Sequence, residues 1–396
     1  MKKLSLSVLT VILLLLGCAE KPKNVGGSLV DPNDVFTIAD TVFMSTSDKT
    51  YRIPYAPGFG FVDLTGKLSN NDEAITLFNF IPGGNIDSLK DAEIDTVELS
   101  LYVNYRLQAS APIIEFDIKK IETSWSQGTF TYDSLSSLQV SADSTLGVFK
   151  DSMNYGQTVT AQINKSYIRR WADSFIDTAN HDEYYGFTVQ ARTIPTGLIG
   201  FSPFNSSSGI YPRLLIKYTK NGVRDSVEVV TGEDTFSSKF AATPVLTPIT
   251  VRAAFGIRSK INFDVSALAN KPTINRAAFE LTLDTTASVF SGYSPDSVIA
   301  LLGADSSTVN AVGLDSSDAT IYVYGYRKTV VENQSPVYSF NVTAIVQRWI
   351  NGLRPNYGLT LRWIGEFSSA EKATFYSSTD ADTTKRPKLS ITYSKK

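Results

Sequence analysis

Apolar and polar residues alternate at period two in several segments of the chain. Residues 97–103, 187–191, 359–363 and 388–393 each place apolar side chains on one face and polar side chains on the other. This alternation is typical of half-buried antiparallel strands, as in a sandwich. Turn-forming pairs such as Asn351-Gly352 separate the alternating segments. The pattern therefore predicts an all-β fold.

Two short segments have a helical spacing instead. Ile168 and Trp171 are three residues apart, and Val346 and Trp349 repeat that spacing. Residues three apart lie on the same face of a helix. We expect one short helical turn on the sandwich in each case, with the tryptophan as a core plug rather than a ligand platform.

These landmarks occur twice, in the same order. The two tryptophans are 178 residues apart, the Tyr-Gly pairs at 185 and 357 are 172 apart, and the tyrosines at 218 and 393 are 175 apart. Three landmarks with nearly constant offsets indicate a duplication. A period of that length fits a whole domain rather than a solenoid unit.

The N-terminal segment is apolar without alternation. A basic tripeptide at residues 1–3 precedes an apolar run over residues 4–16, and Gly17 and Cys18 follow. A basic start, an apolar stretch too short to span a bilayer comfortably and a small residue at the cut predict a signal peptide over residues 1–17. No other apolar run of the sequence approaches the length of a membrane span.

The tetrapeptide Leu15-Leu16-Gly17-Cys18 resembles the lipobox of bacterial lipoproteins. That resemblance implies diacylation of the Cys18 thiol, cleavage before Cys18 and acylation of the new amino group. The charged residues within 20–23 resemble the surface-export signals of Bacteroidetes lipoproteins. The expected location is therefore the bacterial outer membrane, with a lipid anchor and surface exposure. A plain secretory signal with a chance cysteine and an uncleaved anchor are the alternatives.

The chain after the signal peptide divides into a tether and two domains. Residues 18–34 are polar, with Pro and Gly, and predict a lipidated N-terminus and flexible tether. The turn signal Lys220-Asn221-Gly222 separates domain 1, residues 35–219, from domain 2, residues 228–394. The predicted fold class is all-β, with two tandem antiparallel β-sandwich domains of jelly-roll type.

Earlier parts of the two halves also correspond. Asp40-Thr41-Val42-Phe43 resembles Asp234-Thr235-Phe236, and residues 98–101 resemble residues 280–283. We expect each pair to occupy equivalent strands. These correspondences are less regular than the later landmarks.

The composition restricts the possible functions. With 37 basic and 39 acidic residues the chain lacks the excess positive charge of a nucleic-acid binder. Cys18 is the only cysteine, and His181, in a polar loop, is the only histidine, so a zinc site of histidines and cysteines is excluded by count. A glycine-rich phosphate loop is also missing from the sequence. We expect no enzyme activity, no cofactor and no nucleic-acid partner.

Several motifs of the two halves resemble a known family, although the second half lacks the Trp-Ser segment. They comprise the strand-forming run at 97–103, Thr123-Ser124-Trp125-Ser126, the segment 341–352, Asn356-Tyr357-Gly358 and residues 386–393. They resemble the DNRLRE-type β-sandwich domain of secreted bacterial proteins, which is similar to some carbohydrate-binding modules. The resemblance implies two tandem copies of this sandwich, and polysaccharide binding, with which some members are associated. It assigns no binding residue.

Tyrosines recur at period two near the C-terminal third. Tyr322, Tyr324 and Tyr326 alternate with Val323 and Gly325, which places the three rings on one face of a strand. Exposed aromatic rings stack on sugars, so these tyrosines are the predicted ligand-binding residues. A core face built of tyrosines is the alternative. Tyr102 and Tyr105 are weaker candidates for the same kind of exposed tyrosine.

Carboxylates in three loops suggest calcium, which prefers oxygen ligands. They lie in Asn70-Asn71-Asp72-Glu73, Asp315-Ser316-Ser317-Asp318 and Asp380-Ala381-Asp382. None has the spacing of an EF-hand loop, and solvated turns explain all three. The sequence therefore assigns no metal site.

Two functions of different classes remain open, with a third less favoured. The first is a non-catalytic, lipid-anchored surface protein that binds polysaccharide or another extracellular macromolecule. The second is a structural or assembly lipoprotein of the outer envelope without a glycan ligand. The third is a polysaccharide-degrading enzyme, which would need two carboxyl groups facing each other in a cleft.

The lipobox yields a direct test of anchoring. Replacement Cys18→Ala removes the acceptor thiol, so the precursor should stay unprocessed or leave the membrane fraction. Detergent partitioning and electrophoretic mobility measure both results. A variant that partitions and migrates like the original protein would contradict lipidation at Cys18.

Overall fold

The computed structural model describes most of the chain after residue 36. The described residues are 37–54, 56–177, 183–192, 195–204, 206, 209–242, 249–268, 272–291, 297–302, 322–328 and 334–395. The predicted signal peptide, Cys18, the tether, His181 and the acidic loop at 315–318 lie outside them.

Strands dominate the described chain, which confirms the predicted all-β class. In the first half they are β1 (Thr37–Arg52), β2 (Asp63–Lys67), β3 (Glu73–Phe80), β4 (Glu93–Leu107), β5 (Ile114–Ile121), β6 (Val140–Asp151), β7 (Thr158–Gln162), β8 (Phe187–Ala191), β9 (Gly197–Phe201) and β10 (Arg213–Lys220). In the second half they are β11 (Val223–Lys239), β12 (Ile249–Arg252), β13 (Ile257–Phe263), β14 (Thr273–Thr282), β15 (Ser297–Leu302), β16 (Tyr322–Arg327), β17 (Val337–Asn341), β18 (Leu359–Arg362), β19 (Lys372–Phe375) and β20 (Lys388–Lys395).

Both tryptophan segments are helical, as their spacing predicted. Helix α1 (Lys165–Ile176) is longer than the single turn expected, and α2 (Thr343–Ile350) spans about two turns. Trp171 and Trp349 are buried, so both act as core plugs. Neither helix of the described chain is long and apolar enough to cross a bilayer.

The strands form two antiparallel sheets, consistent with a sandwich fold. The first follows the order β11-β10-β4-β9-β2-β3-β8-β5-β6, with β7 on β4. The second follows the order β1-β20-β14-β17-β16-β15-β18-β13-β12-β19. In each sheet one long strand pairs on both sides, β11 with β10 and β3, and β1 with β20 and β13. Each sheet therefore curves back on itself and encloses an apolar core.

The first strand of each half belongs to the sheet of the other half. Strand β1 pairs first with β20 and then with β13, although it comes from the N-terminal end of the chain. Strand β11 begins the second half and pairs first with β10 and then with β3. Both strands change partner at a bulge, between Ser45 and Ser47 in β1 and between Thr231 and Glu233 in β11. The two halves thus exchange their first strands reciprocally.

This arrangement corrects one of the sequence correspondences. The two bulges mark equivalent points, so Asp40 lies in the part of β1 that pairs with the last strand of its sheet. Asp234 lies beyond the bulge, in the part of β11 that pairs with β3. The similarity between residues 40–43 and 234–236 is therefore local and does not mark equivalent positions. By contrast, β4 and β14 each pair with the last strand of their own half, as predicted.

The predicted domain boundary at 220–227 falls inside a hairpin. Asn221 and Gly222 both have positive φ, at 51° and 80°, which is the conformation of a two-residue type I′ turn. Lys220 pairs with Val223 across this turn, so β10 and β11 continue directly into each other. The turn prediction is confirmed, whereas the assignment of two separate domains stays a prediction.

A third core joins the two sheets. Phe236 and Phe255 of the second half pack with Leu64, Leu107 and Leu198 of the first. All five side chains are at most 1 % exposed. Burial of a large apolar side chain stabilises the fold by about 1.5–3 kcal/mol. The junction is therefore as dry as the interior of either sheet.

Charged side chains at this junction are paired across it. Arg252 Nη1 lies 2.7 Å from Asp72 Oδ2, and both side chains are less than a tenth exposed. Arg52, at the end of the exchanged strand β1, donates from Nη2 to the Ser238 carbonyl at 2.7 Å, and its guanidinium lies 3.5 Å from the centre of the Tyr132 ring. Loss of one partner of such a buried pair costs about 3–5 kcal/mol.

The exchange predicts that the two halves fold only together. Cutting the chain in the exposed turn between Asn221 and Gly222 leaves each fragment without the long strand that completes its sheet. Fragments 19–221 and 222–396 should each stay unfolded or insoluble alone and form a folded one-to-one complex when produced together. Affinity purification through a tag on one fragment, followed by circular dichroism, measures this.

A third fragment controls for size. Residues 53–242 keep β2–β11 in one chain, so this fragment should fold better than residues 19–221. Cooperative, monomeric unfolding of both halves from the first pair would contradict a structural role for the exchange.

Candidate functional site

Two of the three predicted tyrosines are exposed on the outer face of β16. Tyr324 is 39 % exposed and Tyr326 is 61 % exposed, whereas Val323 packs against the core of the second sheet. Gly325 lies against the ring of Phe340, and a Cβ there would come within 2.1 Å of Phe340 Cε1. The bulk of Phe340 therefore requires glycine at this point. The backbone of Tyr322 lies in β16, but its side chain is outside the described atoms.

The exposed rings form a short platform. The ring centroids of Tyr324 and Tyr326 are 6.3 Å apart and their planes differ by 37°. A strand paired on both sides carries them, so their backbone positions are fixed by β15 and β17. Two rings at this spacing present an almost continuous aromatic surface to a ligand. The interpretation as a buried tyrosine face is wrong for these two residues.

Polar side chains border the platform on one side. Tyr326 is paired with Ser339, and Ser339 is paired in turn with Glu280. Glu280 accepts hydrogen bonds from Lys388, at 3.3 Å, and from Lys328. Two strand spacings separate Tyr326 from Glu280, which is about 10 Å. A ligand that covers both the rings and the carboxylate is therefore longer than a single sugar ring.

Glu280 is held in its ionised form. Partial burial favours the neutral acid, but the hydrogen bonds and charges of Lys328 and Lys388 outweigh it and lower the pKa of the carboxyl. The rim therefore offers a negative acceptor beside two ammonium donors. Hydroxyl groups of a carbohydrate both donate and accept, so they match such a mixed rim.

Tyr105 has a structural role. Its hydroxyl accepts a hydrogen bond from the Ala370 amide at 3.0 Å, across the junction between the halves. Burial and the nearby charge of Glu371 raise the pKa of Tyr105, so the phenol stays neutral. This residue therefore belongs to the junction rather than to a ligand platform.

The loop carboxylates of the described chain already have partners. Asp72 pairs with Arg252, and Glu73 pairs with Lys239 at 3.0 Å. Asp382 accepts hydrogen bonds from Thr384 within its own turn. Solvated turns and ion pairs thus account for these residues. The described residues hold no group of three or more His, Cys, Asp or Glu side chains arranged around a metal position.

Sequence reasoning missed a pair of buried acids. Asp63 is 2 % exposed and Asp234 is 1 % exposed, and neither forms an ion pair with Lys or Arg within the described chain. Asp234 accepts hydrogen bonds from the Phe204 amide and from Gln127 Nε2, the latter at 3.5 Å. Asp63 Oδ2 has no hydrogen-bond partner among the described atoms. The sequence signal was an aspartate between two apolar residues, Val62 and Leu64, at the start of a strand.

The buried acids resist ionisation. Burial, and then the negative charge of Asp234, raise the pKa of Asp63 well above its ordinary value. Burial raises the pKa of Asp234 to about 7, although the hydrogen bond from the Phe204 amide opposes the shift. Glycoside hydrolysis needs carboxyl groups that face a substrate in a cleft. Side chains this deeply buried do not meet that requirement.

Two phenylalanines missed by sequence reasoning are exposed in the loop before β2. Phe59 is 72 % exposed and Phe61 is 70 % exposed. The Phe61 amide donates to the carbonyl of Phe367 at 3.2 Å, and Phe367 is itself 37 % exposed. Alternating glycine and phenylalanine in Gly58-Phe59-Gly60-Phe61 was the available signal. The three exposed residues lie at the junction of the two halves and are here called the phenylalanine patch.

No protein-family model matches the chain, and no curated protein matches it significantly. The resemblance to DNRLRE-type domains therefore stays a prediction from the motifs.

The buried acids predict an unusual dependence of stability on pH. In the folded chain Asp234 keeps its proton up to about pH 7 and the pKa of Asp63 is also raised, whereas in the unfolded chain both acids lose their protons at about pH 4. The folded state binds more protons between these values, so stability should fall as pH rises from about 4 to 7 in metal-free buffer. Thermal unfolding in EDTA at pH values of about 5, 6, 7 and 8 measures this dependence of stability on pH.

The matched variant is Asp234→Asn, which removes the titration but keeps the shape. Its unfolding temperature should vary less with pH than that of the original chain. An equal decline in both proteins would assign the pH dependence to other groups.

Proposed function

We propose that this protein is a non-catalytic, lipid-anchored surface protein that binds polysaccharide through the outer face of β16. The observation that carries the proposal is the exposed pair Tyr324 and Tyr326. Large aromatic rings are costly to leave in water, and one on a rigid strand loses little conformational freedom on binding. Their exposure is therefore better explained by a ligand than by packing.

The surroundings of the platform favour a carbohydrate. Sugars present apolar ring faces together with many hydroxyl groups. The rings of Tyr324 and Tyr326 suit the former, and the charged group of Glu280, Lys328 and Lys388 suits the latter. The extent of the surface favours a chain of several sugars over a monosaccharide.

The lipid tether fits the same function. Residue 37 pairs with Lys395 at one end of the second sheet, so the predicted tether joins the sheet there. The residues from Cys18 to residue 36 reach at most about 65 Å when extended. That length allows the platform to face outward past a surface layer while the lipid stays in the membrane.

A structural or assembly role is the second candidate. The phenylalanine patch favours it, because two phenylalanines that are more than two thirds exposed are unusual unless a partner covers them. In that case the lipoprotein would hold an envelope complex together, and the tyrosines would be incidental.

Affinity gel electrophoresis tests the glycan function. Neutral and acidic polysaccharides such as xylan, mannan and alginate are cast in the gel, and retardation of the original chain identifies a ligand. The double variant Tyr324→Ala with Tyr326→Ala should weaken retention at least about tenfold, since loss of central aromatic contacts costs more than about 1.4 kcal/mol. Its unfolding temperature should change little, because both side chains are exposed.

The control is Tyr155→Ala, at a tyrosine that is 74 % exposed in the turn between β6 and β7. It removes a ring of the same size far along the chain from the platform and should bind normally. Retention of the double variant equal to that of this control would contradict the glycan proposal. Failure of every polysaccharide to retard the original chain would favour the assembly role.

A further inference from the structure

Asp63 and Asp234, unlike the buried acids Asp72 and Glu366, form no ion pair with a basic side chain of the described chain. Asp72 is paired with Arg252, and Glu366 is paired with Arg258 by two hydrogen bonds of 3.0 and 2.7 Å. Burial of a carboxylate without such a partner costs several kcal/mol. Two unpaired acids that act on each other's charge add to that cost. Something must therefore neutralise the pair in the folded protein.

Other oxygen donors lie next to the pair. Gln127 contacts both Asp234 and the main-chain carbonyl of Gly58 through its side-chain amide. Rotation of the Gln127 side-chain amide by half a turn exchanges its nitrogen and oxygen. Its oxygen then takes the position that its nitrogen occupies beside Asp234 and Gly58. The backbone at Gly58 lies very close to Gln127, since a Cβ on Gly58 would come within 2.1 Å of the main-chain oxygen of Gln127. Asp63 adds a buried oxygen, Oδ2, that has no partner among the described atoms.

We propose that Asp63 and Asp234, with the side-chain amide of Gln127 and the main-chain carbonyl of Gly58, bind one calcium ion. An all-oxygen set of carboxylates, amide and main-chain carbonyl is typical of Ca²⁺. Zinc prefers nitrogen and sulfur ligands, and Mg²⁺ keeps most of its water and takes few protein ligands. The charge of the ion balances the two carboxylates, which no basic side chain of the described chain does.

The position of the ion gives it a specific structural effect. Asp234 lies on β11, the strand that the second half contributes to the first sheet, whereas Asp63 lies on β2 of the first half. An ion between them would fasten the exchanged strand to the sheet that receives it. Calcium would therefore stabilise the association of the two halves.

The alternative is a proton shared by the two acids. A shared proton also removes the repulsion, and it is favoured at low pH. The two cases differ in their response to calcium. With calcium bound, stability is maintained at neutral pH and above, whereas with a shared proton it declines there whatever metal is present.

Thermal unfolding of the full chain in detergent at about pH 7.5 distinguishes bound calcium from a shared proton. The three conditions are about 10 mM CaCl₂, the same concentration of MgCl₂, and EDTA. The calcium concentration is chosen to saturate a site as weak as those of extracellular proteins. Calcium should raise the unfolding temperature by at least about 3 °C over EDTA, because ligand bound only to the folded state stabilises it. Magnesium should have a smaller effect. An unfolding temperature that is the same with calcium and with EDTA would overturn the proposal.

Matched variants locate the effect. Asp63→Asn and Asp234→Asn should lose most of the calcium response, while Asp87→Asn, at an exposed aspartate in a surface turn, should keep it. An undiminished response in both buried-site variants would place calcium elsewhere and overturn the proposal.

Isothermal titration calorimetry of the original chain with CaCl₂ tests the calcium site even if a variant fails to fold. Binding of Ca²⁺ to protonated acids must release protons, so the apparent enthalpy at pH 7 should differ between buffers of low and high ionisation enthalpy. Heat that is independent of the buffer, or absence of saturable binding, would contradict a site at these acids. Both results are independent of any polysaccharide.

Discussion

The exchange of β1 and β11 between the two halves is the central constraint on this fold. Each sheet encloses its core only because the long strand that closes it comes from the other half of the chain. The exchanged strands change partner at equivalent bulges, so the arrangement is a property of the repeat rather than of one copy. Because neither sheet is complete without the other half, we expect the apolar core at the junction to form together with both sheets and the chain to unfold as one cooperative unit.

Buried acids at the junction of the two halves differ in how their negative charge is balanced. Asp72 is buried beside a guanidinium and contributes to holding the halves together, whereas Asp234, equally buried, has only neutral donors in contact with it. The free energy of burying a carboxylate is large in both cases, so the surroundings decide its charge. In the first case an arginine balances it, and in the second a proton or a bound ion must do so. The protonation of the second site thereby links the strand exchange to pH.

The platform on β16 is far simpler than the junction. Alternation along one strand turns Tyr324 and Tyr326 outward and Val323 inward, and pairing on both sides fixes the strand. Glu280 and Lys388 of its charged rim come from strands distant in sequence, β14 and β20, which the sheet order brings alongside, whereas Lys328 directly follows β16. Under the proposal above, this rigid surface binds a ligand without any movement of the backbone.

The sequence by itself determined the local features of this protein. Period-two alternation identified the strands around residues 97–103 and 388–393, the three-residue spacing identified the tryptophan helices, and Asn221-Gly222 identified a turn, because each depends only on neighbouring residues. The sequence also indicated that Tyr324 and Tyr326 share one face of a strand, although periodicity alone does not say which face is buried. Tertiary structure decided which half each long strand completes, since hydrogen-bonded pairing between distant strands leaves no trace in the pattern of either one. It alone brought Asp63 beside Asp234, two residues more than 170 positions apart, because the balance between burial and charge is set by neighbours in space rather than in sequence.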